Sequence, residues 1–323
     1  MDTVPTLTDI YEAAKRIEPY IPKTPVFRSD ALDRETGAEL LFKMECLMPQ
    51  VGSFKARGAM NALLQLTPEE RERGVLTQSS GNHAQAIAWA AGKLGIKSSI
   101  VMPSNANPVK KRNVREFGGE ILECEPGDCA RNQLMEETRK ATNAVIVHPF
   151  NDYRVIAGQG TAAFELYQEI GPVHPLDAIV VPVGGGGLLS GTAIASGRSR
   201  GTRIIAGEPA GAADTYRSVQ AGSIQPNETV NTIADGLITT VGEKTFPIIL
   251  KHVDRIVVVT DTEIAEAMRQ LWERLRSVVE PSGAVSFAAV LKDLHRFRGK
   301  KVGVILSGGN ANLDQIPFTA AGR

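Results

Sequence analysis

Short runs of apolar, often β-branched residues recur along the chain and alternate with segments of helical spacing. Runs that are apolar on both faces are typical of strands in a parallel sheet covered by helices. The runs that predict strands are 100–101, 145–147, 178–183, 204–206, 256–259 and 302–306. Strands that alternate with helices predict an α/β fold with right-handed crossovers.

One helix is predicted in detail, over residues 262–279. Thr260 and Glu263 form a capping-box pattern at its start. Its apolar positions recur at helical spacing: Ile264, Met268, Leu271, Leu275 and Val278.

Composition and charge narrow the class of protein. The chain has 323 residues, 42% of them hydrophobic, which is enough for one big domain or two closely joined ones. The 36 basic and 36 acidic side chains cancel, so we expect neither nucleic acid nor an anionic membrane as a partner. Three cysteines without a CxxC pair argue against a disulfide framework. No signal peptide or apolar stretch of about 18 residues occurs, so we expect a cytoplasmic protein.

The segment 52–59, GSFKARGA, places Lys55 among small and aromatic residues. Such surroundings can desolvate the amine, lower its pKa and make it a nucleophile for a Schiff base. The alternative is a solvated lysine at the start of a helix.

The segment 79–83, SSGNH, lies between a predicted strand at 74–77 and a predicted helix at 84–91. Hydroxyls and backbone amides at a helix N-terminus suit a carboxylate. An ordinary N-cap turn is the alternative.

Four consecutive glycines follow the strand at 178–183 and precede a predicted helix at 188–195: Gly184, Gly185, Gly186 and Gly187. They let the backbone wrap around a phosphate at a helix N-terminus. The dinucleotide fingerprint GxGxxG fails in both registers, because Leu189 or Ser190 stands at the third glycine. Glu208 lies where a ribose-binding acid would be, so a dinucleotide-dependent oxidoreductase stays open. No GK[ST] follows the turn, which excludes a Walker loop.

Two further sites stand on loops that follow strands. Ser307, just after the strand at 302–306, can donate a hydrogen bond to a ring nitrogen in the ligand crevice. Glu208, Asp214 and the carbonyl of Ala212 could hold a hard cation such as Mg²⁺ or Ca²⁺. Solvated loop acids are the alternative.

Taken together and in this order, the motifs resemble the fold-type II pyridoxal-phosphate (PLP) family of threonine/serine dehydratases and serine racemases. The resemblance covers essentially the whole chain. The matching stretches are GSFKARGA (52–59), SSGNHAQA (79–86), HPFND (148–152), VIAGQGT (155–161), PVGGGGLLSG (182–191), ADG (234–236), EPSGA (280–284) and LSGGN (306–310).

By position, the resemblance implies a role for each candidate residue. Lys55 would bind PLP as a Schiff base and act as the catalytic base, with Ser80 as a second base. The other cofactor contacts would be Phe54, Asn82, Gly184, Gly185, Gly186, Gly187 and Ser307. The substrate contacts would be Ser79, Ser80, Asn82, His83 and Arg131. A divalent cation (Mg²⁺, Ca²⁺ or Mn²⁺) would bind Glu208, Ala212 and Asp214.

The implied reaction is β-elimination, in which Lys55 removes the Cα proton, PLP acts as the electron sink and the β-hydroxyl leaves. The products are a 2-oxo acid and ammonia. L-Threonine or L-serine is the first expected substrate. Arg131 can pair with a second carboxylate, which keeps L-threo-3-hydroxyaspartate open. Ser80 on the opposite face keeps a serine racemase open, although the segment 150–152 resembles dehydratases more than mammalian serine racemase.

The resemblance also implies a two-domain architecture. A large PLP-binding domain would comprise residues 1–72 and 149–323, and a smaller inserted α/β domain, residues 73–148, would carry the carboxylate loop. We expect PLP in the cleft between them, and a homodimer. A non-catalytic protein that binds PLP or an amino acid is a further alternative.

Overall fold

The computed structural model describes residues 3–106, 108–171, 175–198, 201–312 and 317. These residues form ten strands: β1 (Val26–Phe27), β2 (Glu39–Lys43), β3 (Val75–Gln78), β4 (Ser98–Pro103), β5 (Glu120–Cys124), β6 (Val145–Ile146), β7 (Ala178–Pro182), β8 (Arg203–Pro209), β9 (Arg255–Val259) and β10 (Lys301–Ile305).

The same residues form thirteen α-helices: α1 (Leu7–Ile17), α2 (Asp30–Thr36), α3 (Lys55–Leu63), α4 (Pro68–Arg73), α5 (Asn82–Leu94), α6 (Pro108–Glu116), α7 (Asp128–Thr142), α8 (Tyr153–Ile170), α9 (Gly187–Ala195), α10 (Asp214–Ala221), α11 (Phe246–His252), α12 (Asp261–Leu275) and α13 (Pro281–Lys292). Among the helices described, none combines the length and hydrophobicity needed to cross a lipid bilayer.

The strands form two sheets. One has six strands in the order β1-β2-β10-β7-β8-β9, and the other has four in the order β5-β4-β3-β6. All pairings are parallel except that of β1 with β2. The predicted α/β fold with parallel sheets is therefore confirmed. The strands of the smaller sheet all lie between residues 75 and 146; the division at residues 73 and 148 remains a prediction.

Helices cover both faces of the six-stranded sheet. Alternate side chains of a strand point to opposite faces. Accordingly, Val180 of β7 packs in a core with α12 and α13, whereas Ile179 and Val181 pack in a second core with α8 and α9. This double coverage explains why the strand was apolar at every position.

The predicted helix over residues 262–279 was too long at its C-terminus. Its capping box forms as predicted, with Thr260 accepting from the amide of Glu263. The helix ends at Leu275, because Arg276 adopts the left-handed conformation (φ 55°) and its amide closes the last turn onto Trp272. The helical spacing of Val278 misled the sequence interpretation.

The start of α3 is fastened to the carboxyl end of β10. Ser53 and Gly308 form an isolated antiparallel bridge, and the amide of Phe54 donates to the Ser307 carbonyl at 3.1 Å. Because β10 is central in the sheet, this joint holds Lys55, the first residue of α3, at the edge where ligands bind in parallel sheets.

Candidate active site

Lys55 presents its amine inside the protein. The Nζ atom donates to the Pro149 carbonyl at 2.9 Å and lies 5.1 Å from the centroid of the Phe54 ring. Burial lowers the pKa of Lys55 to about 8, and the charge of Glu280 opposes this shift. At pH 7 about a tenth of the amine is thus unprotonated, far more than for an ordinary lysine, and can act as a nucleophile.

A buried ion-pair network supports the helix that carries Lys55. Arg57, two residues along α3, is fully buried. Its guanidinium donates to Glu45 at 2.8 Å and to Glu165 at 2.7 Å. Glu165 also pairs with the buried Lys43 at 2.6 Å. This network fixes the face of α3 that is turned into the core.

Three of the four glycines lie in the turn between β7 and α9, Gly187 is the first residue of α9, and all four are buried. Within the described residues, none of the amides of residues 184–187 donates to a protein acceptor. Buried amides need an acceptor, and the first turn of a helix favours an anion. The turn therefore fits a phosphate group.

Gly184, Gly185 and Gly186 have no room for a side chain. A Cβ on Gly185 would lie 2.3 Å from ring atoms of Phe150, and one on Gly184 would lie 2.8 Å from the Cα of Leu237. A hydrogen bond also stabilises the turn, because the hydroxyl of Thr245 donates to the Gly185 carbonyl at 2.7 Å. The close packing holds the free amides in one arrangement.

The predicted carboxylate loop lies between β3 and the first turn of α5. The hydroxyl of Ser79 accepts from the amide of Gly81 at 3.2 Å. Among the described residues, the hydroxyl of Ser80 has no hydrogen-bond partner, and Ser80 is half-buried. The amides that open α5 can receive a carboxylate, as predicted for this loop.

The side chain of His83, a residue of the predicted carboxylate loop, contacts the backbone just after β6. Its Nε2 lies 3.2 Å from the Val147 carbonyl. Burial, together with the charge of Lys55, holds the pKa of His83 well below its ordinary value. The ring is therefore neutral and donates its proton to that carbonyl, which leaves Nδ1 as an acceptor. An acceptor cannot bind a carboxylate, so only the backbone amide of His83 can serve the substrate.

Asn82 and Ser307 approach the site from different sheets. Asn82 begins α5, and its amide nitrogen donates to Glu280 Oε1 at 2.7 Å. Its carbonyl oxygen accepts from Asn310 at 2.9 Å. Ser307 is 3% exposed and follows the carboxyl end of β10. Burial, then the charge of Asp235, raises the pKa of Glu280 to about 7.

Several residues at the site had no role in the sequence interpretation. Glu280 and Asn310 belong to the quoted stretches EPSGA and LSGGN, and His148 belongs to HPFND. The Nδ1 atom of His148 accepts from the amide of Asn151 at 2.9 Å. Its ring packs edge-on against Phe150 at 4.6 Å. Burial lowers the pKa of His148 to about 4, so this ring is also neutral.

Arg131 lies in the first turn of α7, directly after β5. Because β3, β4 and β5 are parallel, their carboxyl ends meet at one edge of the sheet. Arg131 thus shares this edge with the loop that carries Ser79 and Ser80. The residue is half-buried.

The proposed cation ligands cluster at the end of β8. Glu208 is fully buried and accepts from two amides at the start of α10, at 2.7 and 2.8 Å. Asp214 is also buried and accepts from the amide of Val241 at 2.8 Å. Burial raises the pKa of both carboxyls, that of Glu208 to about 7 with a further contribution from the charge of Asp214. Ala212 lies between them in a short 3₁₀ helix.

Two carboxylates alone do not make a metal site. Within the part of the chain that the structure describes, no three His, Cys, Asp or Glu side chains form a group that could hold an ion. A cation at Glu208 and Asp214 would need backbone carbonyls, such as that of Ala212, or water molecules as further ligands.

The main features of the site fit PLP. The amine of Lys55, with its lowered pKa, suits the aldehyde of PLP. The buried glycine amides suit its phosphate, and the hydroxyl of Ser307 suits its ring nitrogen.

Comparison with known proteins agrees with this chemistry. The family model described as "Pyridoxal-phosphate dependent enzyme" matches residues 17–308. The chain is 45% identical to the β-hydroxyaspartate dehydratase of Paracoccus denitrificans, covering 98% of this chain and 99% of the relative.

Two solved structures share the fold. The serine racemase of Dictyostelium discoideum has a TM-score of 0.90 and 46% identity, covering 95% of this chain and 99% of that chain. Maize serine racemase has a TM-score of 0.93 and 40% identity, covering 98% of this chain and 97% of that chain. These matches confirm the resemblance drawn from the motifs, and the chain belongs to the family of pyridoxal-phosphate dependent enzymes.

Proposed function

We propose that this enzyme is a 3-hydroxyaspartate ammonia-lyase that converts L-threo-3-hydroxyaspartate to oxaloacetate and ammonia. The observation that carries the proposal is the position of Arg131 at the sheet edge that also carries Ser79 and Ser80. A guanidinium there can receive a second carboxylate in a bidentate pair. Threonine and serine, the first expectation from the sequence, have no second carboxylate. The similarity to a β-hydroxyaspartate dehydratase supports the same choice.

Different groups of the protein bind the substrate and transfer the proton during elimination. The amides at the start of α5 bind the α-carboxylate, and Arg131 binds the β-carboxylate. The amine of Lys55 removes the Cα proton as general base. PLP, when bound, supplies the electron sink. Loss of the β-hydroxyl as water leaves an enamine, which takes up water to give oxaloacetate and ammonia, so the net reaction splits the substrate into these two products.

Serine racemisation is the second candidate function. The hydroxyl of Ser80, which has no hydrogen-bond partner among the described residues, is available as a second proton-transfer group. The 46% identity to a serine racemase favours this candidate as well. D-Serine formation from L-serine measures it, and Ser80→Ala should abolish this activity while elimination continues.

The test of substrate choice uses Arg131→Gln, with Arg139→Gln as matched control. Arg139 lies on the same helix, is exposed and pairs with Glu136. The PLP-loaded proteins would be assayed for 2-oxo acid release from L-threo- and L-erythro-3-hydroxyaspartate, L-threonine and L-serine.

We expect Arg131→Gln to lower kcat/KM for hydroxyaspartate by about 10- to 100-fold, the value of one charged hydrogen-bonded pair. The values for threonine and serine should change less than about threefold, and Arg139→Gln should behave as wild type. Equal losses for all four substrates, or a wild-type preference for threonine or serine, would contradict the proposal.

We also propose a divalent cation at Glu208, Asp214 and the Ala212 carbonyl. Burial and mutual repulsion make two ionised carboxyls here unfavourable. No basic side chain among the described residues forms an ion pair with either, so a bound Mg²⁺ would offset their charge. On the basis of the family resemblance we propose a homodimer, and sedimentation velocity distinguishes one chain from two. The composition of the sequence supports a cytoplasmic location.

A further inference from the structure

Glu280, the residue just before α13, has an unusual side-chain environment. It is the N-cap of α13, yet its side chain makes no capping hydrogen bond to that helix. The residue is only 3% exposed. A buried carboxylate that does not cap its own helix needs other donors.

The donors come from two other segments. The amide nitrogen of Asn82 donates to Glu280 Oε1 at 2.7 Å, across 198 residues of sequence. The backbone amide of Asn310 also acts on this carboxyl, because it lowers the pKa of Glu280 against the effect of burial. A Cβ on Gly308 would lie 2.1 Å from Glu280 Oε1. The chain around Gly308 is therefore shaped to leave room for this carboxylate.

These bonds determine the orientation of the Asn82 side chain. Its oxygen accepts from Asn310 and its nitrogen donates to Glu280. The Oε1 atom of Glu280 accepts this bond, so Glu280 holds the nitrogen of the Asn82 amide, and not its oxygen, on its own side. Asn82 has two N–H groups, and the second has no protein acceptor among the described residues.

Asn82 also lies next to the segment that carries the reactive amine. A Cβ on Gly308 would be 3.2 Å from the Asn82 amide nitrogen, and Gly308 forms a bridge with Ser53, two residues before Lys55. Asn82 and Lys55 therefore border the same space. In PLP the ring hydroxyl is the neighbour of the aldehyde carbon that reacts with a lysine amine. An N–H beside Lys55 is thus placed to meet that hydroxyl oxygen.

We infer that Glu280 is a positioning residue whose carboxylate holds the Asn82 amide with its second N–H toward the ring hydroxyl of PLP. The contact also ties α5, which packs against the smaller sheet, to α13, which packs against the larger one. The inference concerns the cofactor and does not depend on which hydroxy amino acid the enzyme prefers.

A double-mutant cycle on PLP binding tests this role. The dissociation constant of PLP would be measured by fluorescence titration of the apoprotein for wild type, Glu280→Ala, Asn82→Ala and the double variant. Urea unfolding of each apoprotein reports folding separately. Ser286→Ala is the control, because Ser286 is buried on the same helix and donates to the Ile305 carbonyl at 2.7 Å instead of contacting Asn82.

We expect Glu280→Ala to raise the dissociation constant about 10- to 100-fold, the range for a hydrogen bond to a charged group. The double variant should bind no more than about threefold more weakly than the weaker single variant, because Glu280 acts through Asn82. Glu280→Gln keeps one acceptor and should lose less than Glu280→Ala. Ser286→Ala should stay within about twofold of wild type, whatever its stability.

Four results would overturn the inference. The first three are an unchanged dissociation constant in Glu280→Ala, fully additive losses in the double variant, and an equal loss in Ser286→Ala. The third would mean that any weakening of α13 releases PLP. Asn82→Ala with wild-type affinity would count against the inference as well.

Discussion

Gly185→Ala should weaken PLP binding by a calculable amount. The added Cβ would lie 2.3 to 2.4 Å from three ring atoms of Phe150, whereas carbon atoms in contact are about 3.5–4.0 Å apart. Phe150 cannot simply turn away, because its ring packs against His148 at 4.6 Å. Overpacking of this kind costs about 1–3 kcal/mol.

The glycine turn and Phe150 must therefore separate, and the turn holds the amides that fit the phosphate. If the whole strain falls on the bound state, the dissociation constant of PLP rises about 5- to 150-fold. Titration of the apoprotein with PLP, followed by its visible absorbance band, measures this change. Gly197→Ala is the control, because its Cβ would meet nothing within 4 Å. Wild-type affinity and stability in Gly185→Ala would refute the packing argument.

Three further predictions concern charge. Arg57→Met should lower the free energy of unfolding in urea by about 3–5 kcal/mol, because it leaves two buried carboxylates without their main partner; a loss under about 1 kcal/mol would contradict this. The rate at which the apoprotein binds PLP should rise with pH around a midpoint near 8, the lowered pKa of Lys55, and a midpoint near the ordinary lysine value of about 10 would count against a buried amine. The pKa of Glu208 is raised to about 7, so its contribution to stability is present below about pH 4.5 and is lost as pH rises through 7. Mg²⁺ should therefore raise Tm more at pH 8 than at pH 6, and Asp214→Asn should remove the effect; a cation response that persists in this variant would place the site elsewhere.

The sequence was sufficient for the fold where each strand is buried on both faces. The runs that became β7 and β10 are apolar throughout, so the local pattern alone predicts that both faces of these strands are buried. It was insufficient for β2, where the buried Lys43 interrupts the apolar run. That lysine is tolerated because Glu165 and the carbonyl of Thr24 lie beside it in the folded protein.

The same distinction applies to the site: features set by local sequence are predictable, and features set by distant contacts are not. The glycine turn is predictable because four adjacent glycines are costly without a close ligand, and the family assignment excludes the dinucleotide interpretation of it. The carboxylate loop that includes His83 is predicted from a local motif, but that motif does not show that the His83 ring bonds to a carbonyl beside β6, a neighbour set by strand pairing. Glu280 was noticed only as part of a motif, because its partner Asn82 is 198 residues away.

The central claim is that Lys55 and PLP together eliminate water from 3-hydroxyaspartate. The most direct measurement is the release of ammonia and oxaloacetate from L-threo-3-hydroxyaspartate by PLP-loaded wild type and by Lys55→Ala. We predict equal amounts of the two products from wild type. The rate in Lys55→Ala should fall by at least the factor of about 10²–10⁴ that a general base supplies. Undiminished turnover in Lys55→Ala, or no ammonia from wild type, would contradict the claim.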